Sequence, residues 1–152
     1  MRYERDREYA LQVIDQCLYG TLSLTGADGE PYGVPISPAR EGEYIWFHGA
    51  HEGKKMALLA GNPMGHLTCV GEVRLIPARF TTWYQSAMAE GEIEMITDPE
   101  EKRHGLEVIS RKYAPEAMKS FQEEARKGLT RTAVFRMRIR SLTGKGRLDQ
   151  DA

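Results

Sequence analysis

The chain has 152 residues, with 21 Lys and Arg against 22 Asp and Glu, leaving a net charge of -1 at pH 7. That balance argues against general nucleic-acid binding, which needs a basic face to displace counterions from phosphates. No apolar run approaches the ~20 residues a membrane helix requires, and the length suits one domain over residues 1–152.

The start, Met1 to Glu8, is charged with no apolar signal core behind it, which sets the expectation of a cytoplasmic protein. Ala10, Val13, Ile14, Cys17 and Leu18 then form one apolar helical stripe, stopped by Gly20. The period changes to two at Leu22 and Leu24, and Asp28-Gly29 signals a hairpin. Tyr32, Val34 and Ile36 alternate on the return, where Pro31 and Pro35 mark an edge or a bulged strand. Tyr44 to His48 reads as an aromatic strand, followed by a short helix from about Glu52 to Ala60.

His66 to Val70 and Val73 to Phe80 look like separate strands, the second weakened by Pro77. Thr82 to Ile96 reads as one long bent strand with Gly91 at the kink. Asp98-Pro99-Glu100-Glu101 is a helix start: an acidic N-cap, proline at the first position and glutamate three residues after the cap. Pro115 opens another helix ending at Gly128, and Ala133 to Arg140 alternates as a last strand. Short antiparallel strands with helices over the open ends suit a small barrel rather than a parallel nucleotide-binding sheet.

The stretch His48-Gly49-Ala50-His51-Glu52-Gly53-Lys54-Lys55 carries the most chemistry. An aromatic strand runs into a helix start bearing two lysines, and free amides, the helix dipole and two ammonium groups together suit a phosphate. The pattern equally describes two solvated lysines on a surface helix. His48 and His51, and His66 and Cys69, have metal-like spacing, but on a strand residues three apart face opposite sides, which separates His66 from Cys69, and with no HExxH no metal site is expected. Arg136, Arg138 and Arg140 read as a solvated strand face. Cys17 and Cys69 make no disulfide framework and are expected as buried, reduced thiols. With no GxSxG and no cysteine beside an obvious base, any catalysis falls to a bound cofactor.

Gly20-Thr21-Leu22-Ser23-Leu24, Asp28-Gly29 through Ser37, Phe47 through Lys55, and Asn62-Pro63 occur in an order that resembles the pyridoxamine-phosphate-oxidase-like flavoproteins. Phe80 through Ser86, Asp98 through Arg103, Lys112-Tyr113-Ala114-Pro115 and Leu142-Thr143-Gly144-Lys145 narrow the resemblance to the nitroimidazole-resistance branch. The resemblance implies a mainly β fold, a six-stranded antiparallel FMN-binding split barrel with flanking helices. It also implies a homodimer with the cofactor at the subunit interface.

Carried over by that resemblance, Pro35, Ile36 and Ser37 run along the flavin, while Phe47, His48, Gly49 and Ala50 line the ring and its ribityl chain. Lys54 and Lys55 hold the phosphate, and Thr82, Tyr84 and Ser86 reach the cofactor from the same subunit or its partner. His48 matches the branch's proposed catalytic position. The implied activity is transfer of electrons from a nicotinamide donor to a small organic acceptor such as a nitroimidazole. The alternatives are a protein that holds flavin or haem without turnover, with FAD in place of FMN among the options, and a barrel that has lost its cofactor. Relatives often carry serine or threonine where Gly49 stands. The ending Gly146 to Ala152 lacks the Arg-x-His motif of the B6-phosphate oxidases, so that oxidation is not expected.

Overall fold

The computed structural model describes residues 2–128 and 131–147; the final stretch, 148–152, with part of the ending compared above, lies outside the described residues. In chain order the elements are β1 (Glu4–Arg5), α1 (Arg7–Gln16), β2 (Gly20–Thr25), β3 (Pro31–Ile36), β4 (Ala39–Glu41), β5 (Tyr44–Gly49) and α2 (Lys54–Gly61). There follow β6 (Met64–Ile76), β7 (Thr81–Met95), α3 (Pro99–Tyr113), α4 (Phe121–Gly128) and β8 (Ala133–Arg147).

The strands form one antiparallel sheet in the order β3-β2-β6-β7-β8-β5-β4, with β1 paired to β8. The six expected strands are the long ones; β1 and β4, of two and three residues, add short edges to the split barrel. Pro31 and Pro35 fall on β3, at the sheet edge, where a missing N–H costs no ladder bond. Inward residues of six strands meet in one core, with Leu22, Ile36, Ile45, Phe47, Leu67, Ala89 and Phe135 all buried. Ala10, Val13 and Ile14 of α1 join it, as their spacing predicts.

Several expectations need correction. The strands expected over 66–70 and 73–80 are one strand, β6, with a register shift between Val70 and Val73. The Gln85 side chain stabilises this irregularity by accepting from the Glu72 amide at 3.2 Å. β6 ends at Ile76 because Pro77 opens a 3-10 turn through Arg79, and Phe80 turns the chain back with φ 52. α2 begins at Lys54 rather than Glu52, since Gly53 has φ 122 and is not helical. Residues Pro115–Ser120 wind as a 3-10 helix before α4 proper begins. β8 runs on to Arg147, well past the clear alternation.

β7 is the single long strand expected, with its register shift between Glu90 and Gly91. A Cβ on Gly91 would sit 1.9 Å from the Arg138 carbonyl oxygen, so the close crossing there demands glycine. The Asp98 carboxylate accepts from the Glu101 amide at 3.0 Å, a cap that contributes about 1 kcal/mol to α3. Cys17 and Cys69 are both free and buried.

Candidate functional site

β5 delivers the central residues. His48 pairs with Val134 and Gly49 with Ala133 on β8. Alternation sends Phe47 inward, where it stacks on Phe135 with ring centroids 5.1 Å apart and planes at 14°. The same alternation leaves His48 outward and exposed. The chain then passes through Ala50 to Gly53 and enters α2, whose cap residue supplies no side-chain acceptor. The amides of the first turn therefore point outward without an intrahelical partner.

Lys55 is the unusual group. Its Nζ lies 5.6 Å from the centroids of both Phe47 and Phe135. A Cβ on Gly49 would come within 2.6 Å of that Nζ, so the missing side chain at 49 is the space the ammonium fills. Among the described residues no carboxylate pairs with it, and burial holds its pKa below the ordinary 10.5. Lys54 diverges, its Nζ lying 4.9 Å over the Tyr32 ring of β3. The two ammonium groups thus flank the helix start, one against the β5–β8 wall and one against β3. A partly desolvated cation, free helix amides and a second cation form a donor set that fits a phosphate.

Other expected residues lie elsewhere. Ile36 and Phe47 point into the core, so only their backbone faces a ligand, whereas Pro35 and Ser37 are exposed. The loop beyond Ser37 is held by α3: the Lys112 ammonium and the Tyr113 hydroxyl each donate to the Pro38 carbonyl at 2.7 Å. Thr82, Tyr84 and Ser86 share one face of β7, opposite Leu75, Val73 and Val70 of β6. Ser86 pairs with Lys145 of β8, eleven residues along that strand from Val134, the partner of His48. At ~3.3 Å per residue this is up to about 36 Å of extended chain. His48 and Ser86 therefore pair near opposite ends of β8.

The sequence model of the pyridoxamine 5'-phosphate oxidase family matches residues 6–146. The chain belongs to this family. No curated protein matches it. Among solved structures, a proposed 5-nitroimidazole antibiotic resistance protein from Bacteroides thetaiotaomicron is 26% identical, with TM-score 0.76 over 93% of this chain and 84% of that one. The FAD and heme binding protein from Mycobacterium smegmatis is 21% identical, with TM-score 0.82 over 99% of this chain and 78% of that one. The flavocytochrome Anf3 from Azotobacter vinelandii is 23% identical, with TM-score 0.75 over 98% and 74%.

Within this family fold, Tyr32 and Phe135 lie against Lys54 and Lys55, contacts that sequence reasoning missed. Each is an ordinary aromatic on a strand, and only the fold brings it against a lysine. Of the remaining polar groups, His51 is exposed and His66 Nε2 lies 4.0 Å from Glu90 Oε1. His104 Nε2 lies 2.6 Å from Glu41 Oε1. Among the described residues no three His, Cys, Asp or Glu side chains converge as metal ligands. Arg136 pairs with Glu94 and lies over the Tyr44 and Trp46 rings, while Arg138 and Arg140 are exposed. No helix among the described residues is long and apolar enough to cross a membrane.

Proposed function

We propose that the protein is a cytoplasmic homodimeric flavoprotein that binds FMN at the start of α2 and passes electrons from a nicotinamide donor to a small organic acceptor. The observation that carries this reading is the Lys55 ammonium, partly desolvated above Gly49 with no described carboxylate beside it. A cation so placed is stabilised by an anionic ligand, and Lys54 and the α2 amides add donors for the same phosphate. When bound, FMN supplies the two-electron chemistry that no side chain here can perform.

The chain's own groups have separate tasks. Lys54 and Lys55 bind the phosphate, and the exposed Pro35 and Ser37 border the flavin along the β3 edge. The backbone of Ile36, Phe47, Gly49 and Ala50 packs against the cofactor. His48 stands outward at the end of β5, where its imidazole can hold an acceptor or hand it a proton. A nitro group, which takes up protons as it is reduced, is an acceptor suited to that role.

Thr82, Tyr84 and Ser86 complete the site from the partner. The register that separates Ser86 from His48 supports this division, because a two-fold related copy can bring its own β7 to the first copy's α2. Leu75 and Phe80, 74% and 98% exposed beside these residues, form an apolar surface that association would cover. The test is a titration of FMN into wild type and Lys55→Ala. A charge-assisted contact contributes about 1.5–3 kcal/mol, so the variant should bind roughly ten- to a hundredfold more weakly. Equal affinities would place the phosphate elsewhere.

A second reading, FAD or haem in place of FMN, is favoured by one feature. The exposed His48 ring makes no hydrogen bond among the described residues, so a ring nitrogen is free to ligate haem iron. Absorbance of the purified protein separates a flavin spectrum from a haem band.

A further inference from the structure

Behind Lys55, α2 does not close fully on the barrel. Lys55, Met56, Leu59 and Ala60 fall on one face of that helix, and Met56 and Leu59 pack against the barrel core. Between this face and the sheet lies a hollow of about 220 Å³, lined by Met56, Leu59, Ala60, Ile93, Met95 and Phe135. Met95 of β7 pairs in register with Phe135 of β8, and Ile93 shares their side of the sheet. Ile93 and Phe135 are buried and close the floor, whereas Met95, 41% exposed, leaves one side open to solvent. Every lining side chain is apolar.

The hollow and the Lys55 ammonium share a wall. Phe135 lines the hollow, and Lys55 Nζ lies 5.6 Å from the centroid of that same ring. The ammonium meets the ring at its edge: an ideal Cβ on Gly49 would lie 2.6 Å from Nζ and 3.9 Å from Phe135 Cε2. Phe47 stacks on one face of Phe135, leaving the other face and the rim. A molecule in the hollow can therefore touch the ring and reach the cation around its edge.

Size and chemistry select the occupant. An apolar cavity of ~150 Å³ accepts benzene, whereas pockets for drug-sized molecules begin near ~300 Å³. A single ring with a short substituent fits the hollow, and the fused rings of a flavin do not. The thioethers of Met56 and Met95 beside Phe135 favour an aromatic partner. The ammonium, with no described carboxylate beside it, favours an anion.

We propose that the hollow binds a small aromatic carboxylate, its ring against Phe135, Met56 and Met95 and its carboxylate on Lys55 Nζ. The same cation thus serves a second class of ligand beyond the flavin reading, one that does not require FMN to bind. Where both ligands are present, they compete for Lys55.

The test is a titration of benzoate into the full, flavin-free chain carrying ¹³C at the methionine methyls. The Met56 and Met95 signals, assigned through single Met→Leu variants, should shift with the ring current of the bound aromatic. Those of Met88, on the opposite side of β7 from Ile93, and Met118, in the turn before α4, should stay. Benzamide keeps the ring without the charge and should bind roughly ten- to a hundredfold more weakly, the loss expected for one charge-assisted contact. Acetate, a charge without a ring, should move neither signal. Ala60→Phe alters an exposed position, fills the hollow from the helix side and should abolish the benzoate-dependent shifts.

Benzamide binding as tightly as benzoate would overturn the proposal. So would shifts at Met88 or Met118 in place of Met56 and Met95, or an unchanged benzoate titration in Ala60→Phe. The wild-type comparison of benzoate with benzamide decides the matter even where Ala60→Phe folds poorly. An FMN titration of the same sample keeps the two readings apart. Benzoate binding without FMN binding upholds the hollow and sinks the flavin reading; FMN binding without benzoate binding does the reverse.

Discussion

Lys55 and Gly49 compete for one volume: the ammonium lies where a side chain on residue 49 would begin, with 2.6 Å between Nζ and an ideal Cβ. The lysine tip is flexible, so Gly49→Ala forces it outward at little cost to the backbone. The displaced cation regains water and leaves the Phe47 and Phe135 rings. FMN affinity should fall several-fold in Gly49→Ala while the melting temperature holds. Unchanged affinity would mean that the cradle over residue 49 plays no part in phosphate binding.

Lys55 also predicts a conflict between stability and binding. Burial disfavours its ammonium, so its folded pKa lies below 10.5 and the unfolded chain binds more protons in the window just under that value. Its contribution to stability therefore rises as pH rises through that window, and at neutral pH the charged lysine opposes folding. Lys55→Met should melt no lower than wild type at pH 7, and its stability should gain less between neutral and alkaline pH. Its FMN affinity should drop by the roughly ten- to a hundredfold expected for a lost charge-assisted contact. Thermal melts across pH, paired with titration, read both effects.

Much of the frame was legible because its signals are local. Pro31 and Pro35 cannot donate to a central ladder, so an edge position follows from their chemistry. Gly91 announced a kink within its own strand, and Asp98-Pro99 announced α3 within four residues. The missed features depend on distant partners. The break between Val70 and Val73 looks like a strand end until Gln85, on the neighbouring strand, is seen to accept from Glu72. The β8 extension past Arg140 is built on glycines that admit α1; a Cβ on Gly144 would lie 3.0 Å from Ala10 Cβ. The stretch proposed to hold phosphate was visible as a motif, but its depth was not. Nothing around Lys55 in the sequence indicates that Phe135 will lie against it.

The register on β8 predicts complementation between damaged chains. If Lys55 comes from one subunit and Ser86 from its partner, Lys55→Ala and Ser86→Glu damage opposite halves of each site. A mixed dimer then holds one intact site and one doubly damaged site. Equal mixing after subunit exchange should restore about a quarter of the wild-type binding capacity, since half the dimers are mixed. No recovery would assign both residues to a site within one chain.

The exposed apolar tip makes a related prediction. Wild type should sediment as a dimer at low micromolar concentration. A stable two-fold interface typically buries well above ~1,000 Å², and an aspartate within it leaves an unpaired charge. Leu75→Asp should therefore shift the protein toward monomer and weaken FMN binding together. A monomeric Leu75→Asp that still binds FMN at wild-type affinity would rule out the shared site.

His48 separates holding a cofactor from using it. It stands outward at the end of β5, while Lys54 and Lys55, the groups proposed to hold the phosphate, follow six and seven residues later at the start of α2. Nothing in this arrangement requires the imidazole to grip the phosphate, so His48→Ala should retain most FMN affinity. If the ring donates a proton or hydrogen bond to the acceptor, its loss should slow nitroimidazole reduction by the ~10²–10⁴-fold typical of a missing acid–base group. His51→Ala is the control, because that residue is also exposed but lies in the bend between β5 and α2. Steady-state reduction with a reduced nicotinamide donor, at saturating FMN, compares the two variants with wild type. The expected pattern is a fall in kcat for His48→Ala alone, with KM for the nicotinamide little changed. Wild-type turnover in His48→Ala would remove the catalytic assignment and leave His48 as a surface residue beside the cofactor.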